Sequence, residues 1–201
     1  MISSRKDRSR DRKEAILDGA LACFAEGGEA AVTIEEVGKR APASVGSIYH
    51  HFGNKEGVLG ALYDRALARY RASLDEDLAR AGSAEEVVKA LVRHHLAWIE
   101  RHPDEARLLF RLRASAALAP RERELRQGTT EMLRSIKRRL ADAIERGEVM
   151  RLPLSLYAPL ITGPAHELAR HWLAGRTPDV ARLTDVAEPL AEAAWRSVRA
   201  E

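Results

Sequence analysis

The sequence predicts an all-α protein of about nine helices, with an N-terminal three-helix domain built around a helix-turn-helix and a C-terminal helical domain. Three observations carry that prediction. Apolar residues recur three and four positions apart through most of the chain, the period of a helix with one buried face. Thr33, Ser44, Ser83 and Thr177 stand before four of these segments and Gly or Pro follows most of them, the punctuation expected of helix starts and stops. Aromatic residues are scarce at 5%, charged residues reach 31%, and Ala, Leu and Arg abound, a composition that suits helices packed on helices. At 201 residues the chain is long enough for one or two domains with a real core.

The N-terminal eleven residues, MISSRKDRSRD, mix Arg5, Lys6, Arg8 and Arg10 with aspartates and offer no apolar face, so they are expected to be a disordered basic arm. A first helix follows from about Arg12 to Ala25, with Ile16, Leu17, Ala20, Leu21 and Phe24 on one side. Gly27-Gly28 ends it. Residues 33–52, TIEEVGKRAPASVGSIYHHF, read as two short helices joined by a tight turn. Thr33 and Glu36 make a capping box for the first, and Ile34 and Val37 give it an apolar side. Pro42 stops it, because the residue before a proline avoids the α conformation. Ser44 caps the second, which turns Ile48 and Phe52 inward and leaves Ser44, Gly46, Ser47 and His50 outside. A second helix with a small polar face fits a major groove.

The run from Arg12 to about Arg69 resembles the DNA-binding domain of the TetR family of bacterial transcriptional repressors. The likeness rests on AILDGALACFAEGG, on the threonine opening the second helix, and on SVGSIYHHFGNKEGVLGALY, in which Y-x-H-F followed by N-K-E is the most specific part. It implies a DNA-binding domain over residues 12–70 and a C-terminal domain over 71–201 that binds an effector and dimerises. It also implies arginines of the N-terminal arm near phosphates or the minor groove; a merely solvated arm is the alternative. The candidate DNA-contacting residues are Thr33, Ser44, Val45, Gly46, Ser47, Tyr49, His50, His51 and Lys55. Tyr49, His50 and His51 carry donors suited to phosphate oxygens, although His51 also suits bracing the helix. Asn54 caps the next helix and Lys55 lies in its first turn, where free N–H groups and a partial positive charge favour an anion. Two positions depart from the family. Most members have glycine where this chain has Pro42, so the turn must be built differently, with strain at Ala43 or with the first helix ending at Arg40. Val45 stands where a polar or basic residue is common; it either meets thymine methyl groups or packs beside Ile48.

A long helix from Lys55 to about Ala79 links the two halves, burying Val58, Leu59, Leu62, Ala66 and Tyr70. Ala81-Gly82-Ser83 marks a boundary, and Ser83 with Glu86 forms a second capping box for a helix to about Arg101. Pro103 opens another helix, Pro120 a long one to about Arg146, and Gly147 ends it. Residues 153–174 form a helix with Gly163-Pro164 inside, which predicts a kink there. Thr177-Pro178 is expected to cap the last helix.

Candidates to line an effector pocket are His94, Trp98, Phe110, Tyr157, His166 and Trp172. A stripe through Leu183, Leu190 and Ala194, with Ile161 and Leu168 on the preceding helix, suits a four-helix interface between two copies of the chain. No cofactor is implied, and the histidine spacings do not suit a metal. The single Cys23 excludes an internal disulfide and reads as a small buried residue. No apolar run is long enough to span a bilayer, the basic N-terminus lacks the apolar stretch of a signal peptide, and a cytoplasmic location follows. The net charge of +3 is compatible with nucleic acid. Together with the resemblance to the TetR family, these features imply a transcriptional regulator, a repressor that binds a palindromic operator as a homodimer and is released by a small molecule. Control by a protein partner, or activation instead of repression, is the alternative; no nucleophile, phosphate-loop or metal constellation points to an enzyme.

Overall fold

The computed structural model describes residues 5–200, with side chains from Asp7 onward. Eleven α-helices account for most of it: α1 (Arg5–Ala31), α2 (Ile34–Arg40), α3 (Val45–Phe52), α4 (Lys55–Leu78), α5 (Ala84–Arg101), α6 (Pro103–Leu112), α7 (Glu122–Arg139), α8 (Ala141–Glu145), α9 (Leu154–Ile161), α10 (Gly163–Leu173) and α11 (Ala187–Val198). Two 3-10 turns, Ala116–Arg121 and Leu183–Val186, complete the order. The all-α class holds. None of these helices is long and apolar enough to cross a membrane.

The chain divides into two compact units, Met1–Ala68 with Asp104–Pro120, and Arg69–Pro103 with Arg121–Glu201. The sequence predicts a single boundary near residue 70; the contacts instead return Asp104–Pro120 to the first unit. A tie of the kind that local pattern does not encode runs from Ser115, whose hydroxyl donates to the Glu29 carboxylate at 2.7 Å.

In the first unit Ile16, Ala20 and Phe24 of α1 are buried, as are Val37 of α2, Ile48 of α3 and Val58, Leu59 and Leu62 of α4. These are the faces the spacing predicts. Gly28, at φ 69°, breaks the helical path of α1 where the Gly-Gly pair was expected to. At the other end the helix begins earlier than expected. Residues 5–11, assigned above to a disordered arm, form its first turns, while residues 1–4 of that arm lie outside the described residues. Extending an existing helix adds one bond per residue fixed and needs no new nucleus, so charged residues with fair helix propensity follow it.

The second unit is organised on α5. Val88, Val92, Leu96 and Ile99 are buried on it, and so are Val87, Leu91 and Trp98 on its other sides. Helix α11 packs on α5 and buries Ala187, Ala191, Ala194 and Val198. Ion pairs flank that packing, Lys89 to Glu192 at 2.6 Å and Arg93 to Glu188 at 2.6 Å. The predicted kink at Gly163 is present as a full break: α9 stops at Ile161, Thr162 closes it, and Pro164 enters at the first turn of α10, where its missing N–H costs nothing.

Two helix limits differ from expectation. The segment after Pro120 is not one helix; Pro120 lies inside a 3-10 turn, and the path breaks again at Leu140, whose N–H is shared between the Ile136 and Lys137 carbonyls, each at 3.2 Å. The last helical segment does not start at Thr177-Pro178. It starts at Leu183, because the Glu100 carboxylate of α5 accepts from the Thr184 N–H at 2.9 Å and from the Arg182 guanidinium at 2.9 Å. A carboxylate from a distant helix thus does the work of a local N-cap. Burial would raise the Glu100 pKa, but the Thr184 and Arg182 donors hold it below its ordinary value.

Candidate nucleic-acid interface and effector cavity

Each end of the helix-turn-helix is fixed by a short local contact. The Thr33 hydroxyl accepts from the Glu36 N–H at 3.1 Å, capping α2. The reciprocal half of the expected capping box is absent, since the Glu36 carboxylate instead pairs with Lys39 and with Arg40 at 2.5 and 3.0 Å. Those two cations and Glu36's bonds to them lower its pKa. The Ser44 hydroxyl accepts from the Ser47 N–H at 3.2 Å and caps α3. Asn54 caps α4 through the Gly57 N–H at 2.8 Å.

The Pro42 turn resolves in favour of one of the two constructions above. Helix α2 ends at Arg40, Ala41 is extended at φ −103°, and Ala43 N–H donates to the Ala41 carbonyl at 2.8 Å. Pro42 therefore sits at the centre of a tight three-residue turn, a place its fixed negative φ suits. No non-glycine residue described has a positive φ, so Ala43 carries no such strain. Entry into α4 is equally tight: a Cβ on Gly57 would lie 1.9 Å from the Phe52 carbonyl oxygen, so only glycine lets α3 and α4 meet this closely.

With Ile48 fully buried, the opposite side of α3 is presented outward. Val45 is 42% exposed and Tyr49 50%, four positions apart on one face, and Ser44, Gly46 and His50 are exposed beside them. A valine packed inside would not keep that exposure. Ser47, Thr33 and Lys55 are half-buried. His51 is half-buried too, its ring edge-on to those of His50 and Phe52 at 5.3 and 6.2 Å. Burial first, then His50, Lys13 and Arg12, push its pKa down. Those last two residues were missed by the sequence. Lys13 lies over the Phe52 ring at 5.9 Å and, with Arg12, brings positive charge from α1 to the end of α3, a proximity that only the fold creates.

The effector-pocket candidates separate into three groups. His94, Trp98 and His166 join an aromatic cluster around Tyr70 and His95. The Tyr70 hydroxyl is 3.1 Å from His95 Nδ1, its ring is edge-on to Trp98 at 5.2 Å, and His95 stacks on His166 at 5.4 Å. His94, His95 and Trp98 are packed, while His166 is exposed at the edge of the cluster and His94 also borders an open pocket of about 380 Å³ with Asp77, Arg80 and Arg93; burial, reinforced by His166 and His94, drives the His95 pKa down to about 3, and burial alone drives the Tyr70 phenol up. Tyr157 lines a small apolar cavity of about 50 Å³ with Tyr70, Leu91, Leu133, Ile136 and Ile161, while its hydroxyl donates to the Met150 carbonyl at 3.2 Å. Phe110 and Trp172 are elsewhere: Phe110 is on α6 in the first unit, and the Trp172 indole donates to the Val180 carbonyl at 3.1 Å.

Ser73, His94 and Asp77 also fall in line, with His94 Nδ1 2.7 Å from Asp77 and Nε2 3.5 Å from the Ser73 hydroxyl. The hydroxyl donates to the Arg69 and Tyr70 carbonyls at 3.0 and 3.1 Å, as helix-interior serines do, so it is not set up as a nucleophile. The His94 contact, more than any other, lowers the Asp77 pKa. No group of three His, Cys, Asp or Glu that could hold a metal ion occurs among the described residues.

The expected dimer stripe needs correction. Ile161, Leu183 and Ala194 are at most 4% exposed within the single chain, consumed by its own packing. Leu168 and Leu190 are half-buried and remain partly accessible, with Pro164 and Ala193 exposed on the same two helices. The near-heptad spacing had mixed the inner and outer sides of α11.

Residues 16–62 match the model of the bacterial regulatory proteins of the tetR family. The fatty acid metabolism regulator protein of Bacillus subtilis is 24% identical over 171 residues, 83% of this chain and 86% of that protein. The HTH-type transcriptional repressor AcnR of Corynebacterium diphtheriae is 38% identical over 93 residues, 45% of this chain and 43% of the repressor. Among solved structures, the regulator FadR from Bacillus subtilis in complex with stearoyl-CoA superposes with a TM-score of 0.77 at 22% identity, covering 92% of this chain and 98% of that one.

Proposed function

We propose, from the match of residues 16–62 to the model of the tetR family, that this chain is a repressor that binds a palindromic DNA operator as a homodimer and is released by an acyl-type small molecule. One observation carries the DNA half of this reading: α3 buries Ile48 and holds Val45 and Tyr49 outward on a capped, closely braced helix. Val45 meets bases, where its methyl groups suit thymine. Tyr49, His50, Thr33 and Lys55 approach phosphates, helped by the free N–H groups opening α4 and by Arg12 and Lys13. Phosphate neutralisation supplies much of the affinity and makes it fall steeply with salt.

A single eight-residue reading helix makes few base contacts. A dimer supplies two, with half-sites about one helical turn apart or more. The accessible side of α10 and α11, through Pro164, Leu168, Leu190 and Ala193, is the surface we assign to that pairing. The effector half is supported by the apolar cavity in the second unit and by the names of the relatives, one a fatty acid metabolism regulator and one crystallised with stearoyl-CoA. The working place is then the cytoplasm, where DNA and acyl compounds meet. Selection of bound duplexes from a random library tests the reading: an inverted repeat supports a dimeric operator, and an unpatterned pool contradicts it.

A further inference from the structure

Another cavity opens beside the apolar one. It measures about 140 Å³ and is lined by Arg71, Asp75, Gly128, Glu131 and Ser135, together with Leu74 and Met132. Leu74 and Met132 also line the apolar cavity that Tyr70, Tyr157 and Ile161 enclose. Two side chains therefore stand between a polar opening and a greasy interior. Met132 is half-buried and unbranched, with three rotatable bonds, so a rotamer change suffices to join the two spaces.

Arg71 lines the polar opening. The Arg71 Nε is buried without a hydrogen-bond partner. Its guanidinium lies against Gly128, where a Cβ would come within 3.2 Å of Nη2, so the glycine on α7 leaves the guanidinium its seat. A buried donor left unsatisfied is costly, and an acceptor that reaches it gains accordingly. Asp75 and Glu131, both exposed, stand on the same rim. Their exposed charges sit at the mouth, where solvent and salt screen them.

We infer that the two cavities are the head and tail ends of one site for a short linear acyl compound, its length limited by spaces of about 140 and 50 Å³: the acyl carbonyl or carboxylate accepts from Arg71, with the Ser135 hydroxyl at the same opening, and the short hydrocarbon chain passes between Leu74 and Met132 into the apolar cavity. This rests on the reading of the second unit as an effector domain and names the group that recognises the head. A free fatty acid and an acyl thioester share this chemistry.

The test is direct binding, followed by the fluorescence of Trp98, Trp172 and Trp195, with hexanoate, hexanoyl-CoA and 1-hexanol as probes. Arg71→Gln should weaken the carbonyl-bearing probes about tenfold and leave the alcohol nearly unchanged, as expected for loss of a hydrogen bond from a charged donor. Met132→Phe, which narrows the passage, should weaken all three. Preference of the wild type for one carbonyl probe decides between acid and thioester. Equal loss of all three probes in Arg71→Gln, or binding untouched by both substitutions, overturns the inference. DNA release is measured separately. Arg71-dependent binding that leaves DNA bound would sink the effector-release reading and spare this one. Release by some other molecule, with no acyl probe binding, would do the reverse.

Discussion

Acidification should destabilise the second unit through His95. The ring is 8% exposed, and burial followed by the nearby His166 and His94 holds its pKa at about 3, against 6.5 ordinarily. The folded-state value is depressed, so the unfolded chain takes up the proton first. The stability this neutral histidine permits is therefore complete above about pH 6.5 and is lost progressively as pH falls toward 3. At about pH 5.5, one unit below the unfolded value, the linkage loss is about 1.4 kcal/mol, and at about pH 4.5 about 2.7 kcal/mol. That is a sizeable part of a domain stability of about 5–15 kcal/mol. All three tryptophans lie in the second unit, so urea melts followed by fluorescence report on it. Melts at about pH 7.5 and 5.5 should show that loss in the wild type. His95→Gln keeps a polar group near Tyr70 and removes the titration; its loss over the same interval should be smaller by about 1.4 kcal/mol. Identical losses in the two proteins would refute the reasoning.

Three further outcomes follow from the first unit. Gly57→Ala places a methyl 1.9 Å from the Phe52 carbonyl oxygen, backbone that cannot rotate aside. It should cost about 3 kcal/mol, read as a lowered melting temperature by circular dichroism, and an unchanged melt would mean the α3–α4 junction is looser than described. Pro42→Gly should lower stability by only about 0.4–1 kcal/mol and keep the preferred DNA sequence, because no positive φ is used in this turn; a changed preference would show that the proline sets the reading angle. Tyr49→Ala should weaken binding to all duplexes alike, whereas Val45→Ala should change which sequence is preferred; a Val45→Ala protein with its preference intact would assign Val45 to packing.

Much of the first unit was legible because its determinants are local. Thr33, Ser44 and Asn54 each cap a helix three residues ahead, and Ile48 repeats the apolar period, so the caps and the buried side of α3 follow from adjacent residues. What the pattern could not show is what distant residues do. Glu100 caps a segment more than eighty positions later, and Lys13 reaches Phe52 only after folding. Of the six pocket candidates, three joined the cluster around Tyr70 and His95 and Tyr157 lines the apolar cavity, whose other walls are mostly ordinary leucines and isoleucines that no motif marks. The dimer stripe failed for a related reason. Small residues such as Ala191 and Ala194 let α11 approach α5, and a spacing argument cannot tell an inner alanine from an outer one.

The most direct test is a fluorescence-anisotropy titration of the protein against the intergenic DNA upstream of its own gene and a scrambled duplex, at low and moderate salt. Tight, sequence-selective binding that weakens as salt rises is the result predicted by a capped, outward-facing α3 with phosphate donors around it. Equal, weak binding to both duplexes, repeated with a site drawn from the random library, would contradict it.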